Sequence, residues 1–119
     1  MSESMGEDLT FTEYQVITHS TAIYPGQGTA LGLAYTALGL AGEAGEIANK
    51  VKKVLRDDGG ILTEEKAKQI SAELGDVLWY IARVADELDS SLEVTATDNI
   101  AKLLDRQARG VLGGSGDAR

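Results

Sequence analysis

Four carboxylates in this chain fall into two matching words, Glu43-Ala44-Gly45-Glu46 and Glu73-Leu74-Gly75-Asp76. In each word the acids are three residues apart, and a glycine directly precedes the second. Residues three apart on a helix are surface neighbours, so each word reads as two like charges one turn apart, a repulsion of a few tenths of a kcal/mol (~0.2–0.5). Each interior glycine costs about 1 kcal/mol more relative to alanine. A hard divalent cation is the simplest compensation. With no Cys in the chain and no His nearby, oxygen donors alone select Mg²⁺, with Mn²⁺ as the substitute, over Zn²⁺. Such a cation would let an acidic chain handle a phosphorylated ligand. Without Cβ atoms, the glycines would allow close helix approach or leave room for that ligand.

The elements that must position these acids read as four helices in an all-α fold. Apolar residues recur at heptad-like spacing, and β-branched residues never alternate over a strand's length. The first helix is expected from about Phe11 to Ile23, opened by a capping box at Thr10-Phe11-Thr12-Glu13. "YPGQGT" breaks the chain around its single proline, Pro25. The second helix runs from about Ala30 to Arg56 and stops at "DDGG". The third runs from about Glu64, capped by Thr63, to Leu88. The fourth starts after Ser90, with Glu93 completing a second capping box, and ends near Arg109.

On a wheel of 100° per residue, Leu33, Ala37, Leu40, Ala44, Ile47, Ala48, Val51 and Leu55 form the apolar stripe of the second helix. Ile70, Leu74, Val77, Leu78, Ile81, Val84, Ala85 and Leu88 form that of the third. Glu43 and Glu46 edge the first stripe, and Glu73 and Asp76 edge the second in the same rotational sense. An antiparallel hairpin packed stripe to stripe would bring both flanks to one side. Glu46 and Glu73 would each sit roughly 15 Å from the turn, at about 1.5 Å per residue, so all four acids are expected to converge. A lone ExxE is more often a solvated helix edge. The repeat, the shared flank and the matched height argue otherwise.

The 119 residues fit one domain. A net charge of −8 argues against broad electrostatic binding of nucleic acid. Without cysteine there is no disulfide framework, thiolate metal site or thiol nucleophile. No apolar run approaches the ~18 residues of a membrane span, and "MSESMGEDLT" does not read as a signal peptide. The expected place is the cytoplasm, that of the host if a phage encodes the chain.

Glu43-x-x-Glu46, a spacer of 26 residues, and Glu73-x-x-Asp76 on two helices resemble the all-α nucleoside triphosphate pyrophosphohydrolases. The words "LGLAGEAGEIANKVKK", "AELGDVLWYIARVADEL" and "NIAKLLDRQARGVLGGSGD" resemble the short MazG-like branch. The resemblance runs from about Tyr14 onward. It implies Mg²⁺-dependent attack of water on the α-phosphorus of a (d)NTP, giving the monophosphate and pyrophosphate. Glu43, Glu46, Glu73 and Asp76 would hold the metal ions, and one carboxylate would also deprotonate the water. Glu46, with Glu43 beside it, is the expectation, though the residues leave the choice open. Phosphoryl transfer of this kind needs charge neutralisation and in-line positioning more than covalent chemistry.

The resemblance places an Asn and a Lys of the last helix against the phosphates, and Asn99 and Lys102 match them. Arg106, which shares their face, and Arg109 are further expected contacts. Lys50 shares the carboxylate flank, as does Lys53, which reads better as a solvated residue. It also implies dimers or dimers of dimers, so the four-helix antiparallel bundle is expected to be completed by oligomerisation. Trp79, opposite the apolar stripe and near Gly75, Ala82 and Asp86, reads as an interface residue in preference to a base-stacking one. Tyr24, Tyr35 and Tyr80 read as base-pocket or core residues, and the lone His19 as structural. Residues 1–9 and 110–119 read as flexible or oligomer-dependent tails, the glycine-rich second one suited to a lid over the site or a contact across an oligomer. Three other functions share the logic: a dUTP or dCTP pyrophosphatase, a phosphoribosyl-ATP pyrophosphohydrolase, and a helical metal-binding assembly module without turnover.

Overall fold

A computed structural model describes residues 8–113, and within them every long element is helical. The tails assigned to residues 1–9 and 110–119 lie outside this range, apart from residues 8–9 and 110–113. Helix α1 spans Phe11–Thr18 and passes into a 3₁₀ turn at His19–Thr21. Helices α2 (Ala30–Asp57), α3 (Glu64–Glu87) and α4 (Leu92–Arg109) follow.

Helix α1 stops short of the expected Ile23 because hydroxyls compete for its carbonyls. Thr18, Ser20 and Thr21 donate to the carbonyls of Gln15, Ile17 and Thr18, a back-bonding pattern that weakens helical continuation. Its expected capping box is present, with Thr10 and Glu13 bonded reciprocally. The cap of α4 differs from expectation by one residue. Ser91 is the N-cap and accepts from Val94 N, which leaves Glu93 to accept from Thr12 Oγ1 at 3.2 Å. Helix α2 closes on itself where Asp58 N and Gly60 N both donate to Val54 O. Gly59 and Gly60 adopt the positive φ this requires.

Helices α2 and α3 pack as an antiparallel hairpin. Gly32 lies against Glu87, Gly39 against Tyr80, and Lys50 pairs with Glu73. This seam corrects the stripe-to-stripe packing inferred from the wheel. Buried Gly32, Thr36 and Val54 and half-buried Gly39, Glu43 and Lys50 all belong to it, and they centre about 100° round α2 from its apolar stripe. Small side chains explain the choice. Gly32, Thr36 and Gly39 let α3 approach on that flank, where Tyr80 and Glu87 fill the space. A Cβ on Gly39 would lie 2.2 Å from the Tyr80 ring. Gly39→Ala is therefore expected to displace Tyr80 and cost about 1–3 kcal/mol, read as a lowered urea midpoint at unchanged m-value.

The two apolar stripes consequently face one side of the hairpin. Ala37, Ala44, Ala48, Val51 and Leu55 of α2 are exposed, as are Leu74 and Leu88 of α3. Leu55 is 68% exposed. The buried apolar cluster is small, comprising Ala82, Ala85 and Leu92 with Tyr14 and Ile81 packed on it. The Cα radius of gyration is 17.3 Å, where a compact chain of this length has about 13.5 Å.

What docks α1 is chiefly polar. Gln15 donates to Asp86 Oδ1 (2.6 Å) and Ser90 O (3.0 Å) and accepts from Leu92 N (2.8 Å), joining α1, α3 and α4. Arg83, 2% exposed, donates to Asp86, Thr18 Oγ1 and the Tyr24 hydroxyl. Glu87 fastens the loop between α1 and α2 by accepting from Tyr24 Oη (2.6 Å) and Gly28 N (3.0 Å).

Candidate metal centre

The hairpin register carries three of the four acids to one place. Glu43 on α2 and Glu73 and Asp76 on α3 each present a carboxylate oxygen, all within 4.8 Å of one another. The convergence follows from the near-equal distance of the two acid words from the turn. Glu46, one turn along α2 and exposed, lies outside this close group. Its charge nevertheless adds to those acting on Glu43. Partial burial, then the charge of Asp76, a hydrogen bond with Glu73 and the charges of Glu73 and Glu46 hold the Glu43 carboxyl above its ordinary range. An all-oxygen donor set this close fits a hard divalent cation.

Lys50 approaches the group from α2, with Nζ 3.7 Å from Glu73 Oε2. Of the expected phosphate contacts it alone lies at the acids. Helix α4 packs on α1 and α3 and makes no contact with α2. Asn99 and Lys102 therefore line a separate, shallow hollow of about 350 Å³ with Thr95 and Asp98. Arg106 is buried, 3% exposed, rather than presented on an open face, and Arg109 pairs with Asp105 at 2.8 Å. Within one chain, the α4 residues are not brought to the carboxylates.

Gly42, Gly45 and Gly75 are not close-approach positions, since a Cβ on any of them would meet nothing within 4 Å. Close approach falls to Gly32 and Gly39 instead. Gly42, Gly45 and Gly75 border open space round the acid words.

Trp79, expected at an interface, has contacts within the chain. It is half-buried and donates from Nε1 to Thr21 Oγ1 at 2.8 Å. With Thr21, Tyr80, Glu43 and Asp76 it lines a hollow of about 440 Å³. Tyr24 stacks on Tyr35, ring centroids 5.5 Å apart, as part of the loop's anchorage. His19 pairs with Asp86 (Nε2 to Oδ2 2.9 Å) and so belongs to the polar dock, as its structural reading requires.

A family model described as the MazG nucleotide pyrophosphohydrolase domain matches residues 33–110. That segment contains all four acids and α4. The chain is also similar to the "Gene 37 protein" of Mycobacterium phage L5, 52% identical over 109 residues that cover 89% of this chain and 96% of the relative. No solved structure matches. No helix among the described residues is long and apolar enough to cross a membrane.

Proposed function

The chain belongs to the MazG nucleotide pyrophosphohydrolase family, and on that premise we propose that it hydrolyses (d)NTPs at the α-phosphorus, with Mg²⁺, to (d)NMP and pyrophosphate. The observation that carries this reading is the convergence of Glu43, Glu73 and Asp76 within 4.8 Å inside the matched segment. These three would hold the cation, with Glu46 at its margin. When bound, the cation supplies charge neutralisation at the phosphates. The chain's own residues supply the rest. Glu46, ahead of Glu43, takes a proton from water as the water oxygen bonds to the α-phosphorus. The α–β anhydride bond breaks, and pyrophosphate leaves with the bridging oxygen. Lys50, beside Glu73, is placed to exchange that partner for a phosphate oxygen.

We further propose that the working form is a homodimer or homotetramer in the cytoplasm. The exposed stripes of α2 and α3 support a second copy as their cover. Asn99, Lys102, Arg106 and Arg109 would then meet phosphate across the assembly rather than within the chain.

Product analysis with a (d)NTP panel, with Mg²⁺ and with EDTA, tests the reaction. Monophosphate plus pyrophosphate, lost with EDTA, is the expected result. Orthophosphate plus a diphosphate would place the cut at the wrong phosphorus. Absence of turnover with Mg²⁺ bound would leave phosphoribosyl-ATP or a binding module as the function. Light scattering of the same sample is expected to report two or four chains.

A further inference from the structure

We propose that the hollow beside Glu43 and Asp76 is a nucleoside subsite, in which the base stacks on the Trp79 indole. The inference rests on the pyrophosphohydrolase reading and deepens it. Two of the hollow's five lining residues are cluster carboxylates, so phosphates held at the cluster place the nucleoside at its aromatic wall.

That wall is built to stay still. The Trp79 N–H is committed to Thr21 Oγ1. Tyr80 and Tyr24 stand perpendicular to the indole, at 86° and 85°. Neither stacks on it, and the indole itself lines the hollow. Tyr80 is in turn pinned by Gly39.

The polar groups of the hollow are mostly committed. The Thr21 hydroxyl donates to Thr18 O at 3.2 Å and accepts from Trp79, so its proton is committed. Glu43 and Asp76 belong to the cation. The Tyr80 hydroxyl remains, without a hydrogen bond among the described residues. Stacking on an aromatic ring accepts every base. A hollow with no set of polar groups paired to a base edge has little with which to tell one base from another.

Trp79 is the chain's single tryptophan, so its fluorescence reports this subsite alone. The probes are α,β-methylene analogues of dATP, dGTP, dCTP and dTTP in Mg²⁺, with inorganic tripolyphosphate as the base-free control. All four analogues are expected to quench Trp79, and tripolyphosphate to bind without quenching. Trp79→Leu is expected to raise KM about 5- to 150-fold with kcat little changed, the range for losing one stacked base. Trp79→Phe, which keeps a ring, should recover most of the affinity and so separates stacking from a loss of fold. Equal quenching by tripolyphosphate, or an unchanged KM in a folded Trp79→Leu protein that still hydrolyses (d)NTPs, overturns the subsite and leaves the reaction standing. If neither analogue nor tripolyphosphate binds and no (d)NTP is cleaved, the reaction itself has failed, and the subsite with it.

Discussion

Asp76→Asn is expected to reduce kcat/KM for the preferred (d)NTP by about 10²- to 10³-fold, and Glu43→Gln by a similar factor. A bound metal ion contributes several kcal/mol of transition-state charge stabilisation, and each ~1.4 kcal/mol is tenfold in rate. Both substitutions keep shape and remove one charged oxygen donor from a group spanning 4.8 Å. A second readout separates lost metal binding from lost folding. Burial and then Asp76 raise the Glu43 pKa in metal-free protein. The folded state therefore holds its proton more tightly than the unfolded state. Stability falls as pH rises from the ordinary glutamate range through the raised pKa, and is regained on acidification. Asp76→Asn removes part of that repulsion. At neutral pH with EDTA the variant should melt above wild type, and adding Mg²⁺ should reverse the order, because only wild type gains the full binding free energy. Wild-type turnover in either variant would show that the cluster is not the metal centre.

The largest expected effect on stability comes from outside the site. Asp86→Ala strips the carboxylate from Arg83, which is 2% exposed and would keep only the hydroxyls of Thr18 and Tyr24. It also removes one of the two acceptors of the Gln15 amide. Breaking a buried pair by removing one partner costs about 3–5 kcal/mol. For a domain of this size that corresponds to roughly 10–25 °C in melting temperature. Calorimetry measures the shift. The double variant Arg83→Met/Asp86→Leu should recover much of it, because no uncompensated charge stays buried. A wild-type melting temperature for Asp86→Ala would mean that the docking of α1 does not depend on this network.

The helices were legible because each has a local signature. The Thr10 and Thr63 caps, the Gly59-Gly60 stop and the spacing of apolar residues all lie within a few residues of what they specify. The cluster was legible for a related reason, since two acid words at equal distance from one turn must meet if the hairpin is antiparallel. What did not read through was the choice of seam. A wheel ranks faces by hydrophobicity, whereas Gly32, Thr36 and Gly39 set closest approach by size and leave much of the α2 stripe exposed. The same rotation explains Trp79. With the carboxylate flank on the seam, a residue opposite the stripe comes to border the acids instead of facing away. The polar dock of α1 had no local signal, because Gln15, Arg83 and Asp86 are ordinary helix-surface residues until they meet. The α4 cations could be placed on a helix from sequence, but which helices that one touches is a tertiary fact.

The antiparallel register also constrains how such a gene can drift. The six residues between Asp57 and Glu64 join α2 to α3 beyond the acids. Lengthening that link changes closure entropy slowly, by ~0.6 kcal/mol per doubling, and leaves Glu43 and Asp76 facing each other. A single codon gained between 47 and 57, or between 64 and 72, shifts one helical arm by ~1.5 Å and turns it by about 100°, which carries an acid off the seam. Length changes in the link are therefore expected to spare the cluster, and single-residue changes in either arm to break it.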